Sequence, residues 1–177
     1  MQPDLRYPIG KFTAQPTYSP DETKQHITAI ASLPAELTEL VGSWTDTRLD
    51  TPYRPGGWTV RQLVHHMADS HINGYVRTKL ALTEDNPTIF PYEEGEWATL
   101  PDSRLEIAPS LVLLNSVHRR WVTIFDALTE AELRRTFYHP GSKRTFTLAQ
   151  QAANYAWHGE HHVQHARQLA KRNGWGS

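Results

Sequence analysis

Apolar residues recur at three- and four-residue steps along four stretches of the chain, and helix-start signals accompany them. In the first stretch, Ser19-Pro20-Asp21-Glu22 sets a hydroxyl before a proline, with a glutamate three positions on. That arrangement satisfies the free N–H groups of a starting helix. Ile27, Ile30, Leu33, Leu37, Leu40, Val41 and Trp44 follow as its inward stripe, and Pro34 is expected to kink it. A loop rich in Pro and Gly, Thr51 to Gly57, leads to Thr59, which pairs with Gln62 to cap a second helix from Val60 to about Leu82. The third starts near Ser110, after Pro109, and has the cleanest stripe: Leu111, Leu114, Val117, Trp121, Ile124, Phe125 and Leu128. Thr147 and Gln150 cap the fourth, whose stripe is Leu148, Ala152, Tyr155, Gly159, His162, Ala166 and Leu169 before Asn173-Gly174 stops it. Strand signals are poor, and only Arg144 to Thr147 reads as a short extended piece.

Between the second and third helices lies the segment from Asp85 to Pro109, which carries Pro87, Pro91, Pro101 and Pro109. Extended at about 3.3 Å per residue, it can cross a helix of about 35 Å, so these two helices can run parallel. The expectation is an all-α four-helix bundle with one long crossover, a single domain over residues 1–177.

Composition narrows the chemistry. Lys and Arg total 18 against 19 Asp and Glu, which leaves no cationic excess to grip a nucleic acid or an anionic membrane. No stretch approaches the roughly 20 apolar residues of a membrane span, and the start of the chain lacks the apolar core of a secretory signal. The expected location is the cytoplasm, with neither nucleic acid nor membrane as partner. There are no Cys and 10 His, so any metal site must be built from imidazoles and carboxylates.

The fourth helix carries two i, i+4 histidine pairs, His158 with His162 and His161 with His165. At about 100° per residue only one pair can face the core. Counted without its histidine, the stripe centres near Gly159, roughly 60° from the first pair and roughly 120° from the second. The inner pair is therefore His158 and His162. Two imidazoles one turn apart can hold one divalent ion of the Zn, Ni, Cu or Fe type, and the small Gly159 suggests space beside them. A third ligand would come from the second helix, in His65-His66-Met67-Ala68-Asp69-Ser70-His71. His71 lies nearest the centre of its apolar stripe and His66 at the edge, and spacing leaves the choice between them open.

The run from Leu49 through Pro55-Gly56-Gly57-Trp58-Thr59 into His65-His66-Met67-Ala68-Asp69-Ser70-His71, with Tyr155-Ala156-Trp157-His158 and His161-His162 far downstream, resembles the YfiT branch of the DinB-like proteins. Tyr7-Pro8-Ile9-Gly10 and Gly174-Trp175 extend the resemblance to both ends. It implies a bundle in up-down-down-up order, a homodimer, and one divalent metal, Zn or Ni, held by His66, His158 and His162. It also implies a metal-dependent hydrolase or, as in the wider superfamily, a transferase that uses a small thiol such as bacillithiol or mycothiol.

Three neutral imidazoles leave coordination positions open, which favours catalysis or reversible binding over a closed structural site. A metal-bound water can serve as a nucleophile on a small-molecule substrate. The same ion can also deprotonate the thiol of a low-molecular-weight cofactor, the only source of sulfur nucleophile for a chain without Cys. A metal- or ligand-binding module without turnover is the non-catalytic alternative. Asp69, about one turn from His66, is the carboxylate candidate for a general base or for orienting a ligand, whereas Glu160 points away from the inward stripe. Trp58, Arg77, Asn154 and Trp157 are candidate walls of an access channel, and the segment around Trp97 is compatible with an interface. No nucleophile elbow, phosphate loop or dinucleotide fingerprint is present.

Overall fold

The structure, a computed structural model, describes residues 4–175. Four long helices form it: α1 (Pro20–Val41), α3 (Val60–Thr83), α5 (Ala108–Asp126) and α7 (Leu148–Arg172). Short helices α2 (Asp46–Leu49), α4 (Glu94–Trp97) and α6 (Glu130–Leu133) and a 3-10 turn (Pro101–Arg104) lie in the connections. The expected capping pairs close reciprocally, Ser19 with Glu22, Thr59 with Gln62 and Thr147 with Gln150. Helix α5 starts two residues before Ser110, with Pro109 in its first turn and no side-chain cap.

Side-chain bonds set the helix directions. His65 meets Ser110, His71 meets His118 and Trp121 meets Thr78, so α3 and α5 run parallel. Tyr155 bonds to Ser70 and Gln151 to Thr78, so α3 and α7 run antiparallel. The end of α1 (Leu33, Leu37, Val41) shares one core cluster with the starts of α3 and α5 and the end of α7. Its first half (Ile27, Ile30) joins Tyr75, Trp121, Phe125, Leu148 and Tyr155 in the other. The order is up-down-down-up, with α1, α5, α3 and α7 following one another around the bundle.

The crossover that parallel α3 and α5 require runs along α3 and is tied to it. Gln62 Nε2 donates to Ala98 O at 2.8 Å and Arg61 Nη1 to Leu105 O at 3.1 Å. The same Arg61, nearly buried, donates through Nε to Asp50 and through Nη2 to Asp46, both at 2.7 Å, and so docks α2 and the start of the Pro/Gly loop. Its guanidinium is held above its ordinary pKa by those two carboxylates.

Two local expectations change. Besides Arg144–Thr147 (β2), Thr136–His139 forms a strand (β1), and the two pair antiparallel as a hairpin leading into α7. Four residues with one buried position give too short an alternation to register as a strand signal. Gly159 does not leave space beside the histidines. A Cβ there would run into the Leu33 side chain, so the glycine serves the close approach of α1 to α7. Helix α1 runs on through Pro34 to Val41.

Candidate metal centre

His66 projects from the second turn of α3, and His158 and His162 from successive turns of α7. Because the two helices are antiparallel neighbours, the three rings converge. His158 Nε2 lies 3.3 Å from His66 Nε2 and 3.2 Å from His162 Nε2. Among the described residues, these three are the group of His, Asp and Glu side chains gathered closely enough to hold an ion. The spacing fits a metal: a tetrahedral ion with metal–nitrogen bonds of about 2.0–2.1 Å sets its ligand nitrogens about 3.3–3.4 Å apart. Burial presses His66 down to about 4 and His158 and His162 well below the ordinary imidazole value. All three are neutral at pH 7, the form that donates a lone pair.

His66 and His162 are buried and His158 is partly open, which gives the centre access to two clefts. One, of about 400 Å³, is walled by Trp58, Trp157, Arg54, Tyr53 and the three histidines. The other, of about 530 Å³, is lined by Arg77, Asn154, Arg144, Tyr155 and the aromatic rings of Phe12, Phe137 and Phe146. His158 and Glu94 line both. Trp58, Arg77, Asn154 and Trp157 thus all border one cleft or the other. Glu94, on α4 in the crossover, was not found from the sequence, because a Pro-rich connection has no periodicity to mark which side faces inward. Its carboxyl is raised above the ordinary value, chiefly by desolvation, with Arg77 opposing.

The remaining candidates lie elsewhere. His65 bonds Leu105 O through Nε2 and Ser110 Oγ through Nδ1, a clasp between α3, the crossover and α5. Asp69 follows one turn after His65 and responds to Asp102 in the crossover; desolvation first and Asp102 second raise it to about 6. Among the described residues, no hydrogen bond joins its carboxylate to the three ligands. Glu160 accepts from Gln164 Nε2 at 2.8 Å, one turn on along α7. Burial on α7 is not confined to the histidine pair that faces the bundle. His161 and His165 are also buried, with Nε2 atoms 3.1 Å apart. They are covered by connecting segments rather than by another helix: Tyr53 lies 4.2 Å from the His165 ring and Tyr7 6.3 Å from that of His161. Helical angle alone does not register such a cover.

His71, the other candidate on α3, is fully buried and stands behind a ligand: its Nε2 is 3.1 Å from His158 Nδ1. Its Nδ1 is 2.7 Å from Nε2 of His118, another fully enclosed imidazole, on α5. His118 was missed, although it falls four residues after Leu114 and three before Trp121 on the inward stripe. A polar residue on that stripe was the available signal.

A bundle in up-down-down-up order with three convergent imidazoles opening on clefts defines a class of metal-binding four-helix proteins. The chain belongs to the DinB superfamily, whose family model matches residues 29–166. A Bacillus mycoides protein is 51% identical over 172 residues, covering 97% of this chain and 99% of its own, and a Bacillus cereus protein matches to the same extent. Both carry the name "Putative metal-dependent hydrolase". Among solved structures, YfiT from Bacillus subtilis, described as "a probable metal-dependent hydrolase with an unusual four-helix bundle topology", superposes with a TM-score of 0.95 at 44% identity. That match covers 97% of this chain and 99% of YfiT.

Proposed function

We propose that the chain is a hydrolase of small molecules that works with one divalent transition metal, Zn or Ni, held by His66, His158 and His162. The observation that carries this reading is the gathering of three neutral imidazoles where two clefts meet, with His158 Nε2 at tetrahedral-edge spacing from Nε2 of each of the other two. When bound, the metal acidifies a water and polarises the bond to be cleaved. The protein supplies the rest. Glu94 lines both clefts, as His158 does, and is the carboxylate assigned here to take a proton. Arg77 and Arg144 give the larger cleft a cationic lining, and Arg77 Nε is buried there without a partner. They would seat an anionic group on the substrate, while Phe12, Phe137 and Phe146 cover its apolar body. Asp69, on the crossover side of α3, is left with an indirect role.

Elemental analysis of tag-free protein beside its His66→Ala, His158→Ala and His162→Ala variants tests the centre. About one transition metal per chain, lost in each variant, is expected. No metal after incubation with Zn or Ni would overturn the reading. Thiol transfer is the competing chemistry at the same site, and metal-loaded protein separates the two. Cleavage of carboxylate-bearing esters or amides supports hydrolysis. Consumption of monobromobimane faster than by free thiol alone, with no such cleavage, supports transfer.

A further inference from the structure

We propose that His118 and His71 are positioning residues that lock the tautomer of His158: a one-way chain of hydrogen bonds runs from the Ile30 carbonyl through both imidazoles and leaves the lone pair of His158 Nε2 on the metal position. The proposal rests on the metal centre described above and extends it to groups that touch neither metal nor cleft.

The direction of the chain follows from what each atom can do. His118 Nδ1 lies 2.6 Å from Ile30 O, and a carbonyl only accepts, so His118 carries its hydrogen on Nδ1. The hydrogen-bond partners of His118, His71 and His158 are one another, the Ile30 carbonyl and the two other ligand imidazoles, with no carboxylate among them to hold a second proton, so each ring carries one N–H. His118 Nε2 is then an acceptor, and the hydrogen in its 2.7 Å contact comes from His71 Nδ1. His71 Nε2 in turn accepts from His158 Nδ1 at 3.1 Å. What remains on His158 is an unprotonated Nε2, 3.2–3.3 Å from its two fellow ligand nitrogens. The opposite direction would set two lone pairs against each other at 2.6 Å on Ile30 and an N–H in the metal position.

Pro34 explains why that carbonyl is available. Within a helix the carbonyl of residue 30 bonds to the N–H of residue 34, and proline has none. α1 is continuous across Pro34. A buried carbonyl left without its helical donor needs another, and His118 supplies it. The chain ends on a group that cannot take up a proton, so it holds the ligand ring and does not conduct protons out.

Two readouts on the full chain test this. In metal-free protein, 15N-detected imidazole NMR is expected to show the Nδ1–H tautomer for His118, His71 and His158. An Nε2–H tautomer at His158 overturns the proposal, whatever the protein binds. Zinc titration against a competing chelator is expected to show affinity reduced about 10- to 100-fold in His118→Phe. His118→Gln, whose amide oxygen falls near the Nε2 position, should recover most of that loss. Unchanged affinity in a folded His118→Phe, or equal losses in both variants, would overturn the tautomer account. If His118→Phe fails to fold, Pro34→Ala replaces it: a competing N–H at residue 34 should shift the His118 and His158 nitrogen resonances, and unmoved resonances count against the proposal. A parent protein that binds no zinc refutes the metal centre, while the tautomer measurement still decides the chain.

Discussion

Single residues in this bundle are constrained by what stands one helix away. A Cβ added to Gly74 of α3 would come within 2.5 Å of both the Trp121 and Tyr155 rings, from α5 and α7. Gly74→Ala should therefore lower the urea midpoint by an amount equivalent to about 1–3 kcal/mol, the usual range for overpacking a filled core. Neither the glycine nor its purpose is apparent from the helical period, because the contact is to chain more than forty positions away. Glu94 is a second such residue. Glu94→Gln is expected to retain full metal content while hydrolytic turnover drops on the order of 100-fold or more, as for loss of a general base. Asp69→Asn should leave turnover near that of the parent. Steady-state rates with metal content measured on the same samples check both.

At the scale of elements, local chemistry and packing divide the work. The caps on α1, α3 and α7 are sequence-local, with hydroxyl and Glu or Gln three residues apart, and they mark those helix starts without reference to the rest of the molecule. Thr147→Ala should cost about 1 kcal/mol in thermal or denaturant unfolding, with no change in metal stoichiometry. The crossover is different. Its path along α3 depends on Arg61 and Gln62 reaching backbone carbonyls 44 and 36 residues away. Arg61→Met retains much of the packing stem and loses three anchors, Asp46, Asp50 and Leu105. Limited proteolysis of that variant is expected to cut first in the Pro/Gly loop or the crossover, while the four long helices stay folded by circular dichroism.

At the scale of the whole molecule, the burial of so many imidazoles ties folding to pH. His118 and His66 are pressed to about 4 and His165 to about 3, each chiefly by desolvation. An unfolded chain protonates them near 6.5. The unfolded state thus binds more protons between those values, so the stability present above pH about 6.5 is lost progressively as pH falls toward 4. Thermal melts of metal-free protein across that window should show a steadily falling midpoint, and bound zinc should raise the midpoint where it remains bound. The second copy implied by the family resemblance belongs to this scale as well. Exposed apolar side chains such as Val112 and Leu113 on α5 are the positions at which a substitution tests it. Light scattering is expected to give twice the chain mass for the parent and a single chain for Val112→Asp/Leu113→Asp. No helix among the described residues is long and apolar enough to cross a membrane.

Amphipathic period and capping chemistry, both local, determined the four long helices, their starts to within about two residues, and the inward placement of His158 and His162. The length of the crossover allowed α3 and α5 to run parallel, and the missing Cys limited the ligands to imidazole and carboxylate. The choice between His66 and His71 was beyond spacing, because both lie on the buried side of α3 and differ only in what faces them. Packing gave each a separate task, His66 against the α7 pair and His71 behind His158. The cover over His161 and His165, the clash that requires Gly159, and the placement of Glu94 likewise arise from segments distant in the chain. Pro34 shows the division most plainly. The sequence alone says that it deprives Ile30 of a hydrogen-bond donor, but only the approach of α5 to α1 decides that the replacement is His118.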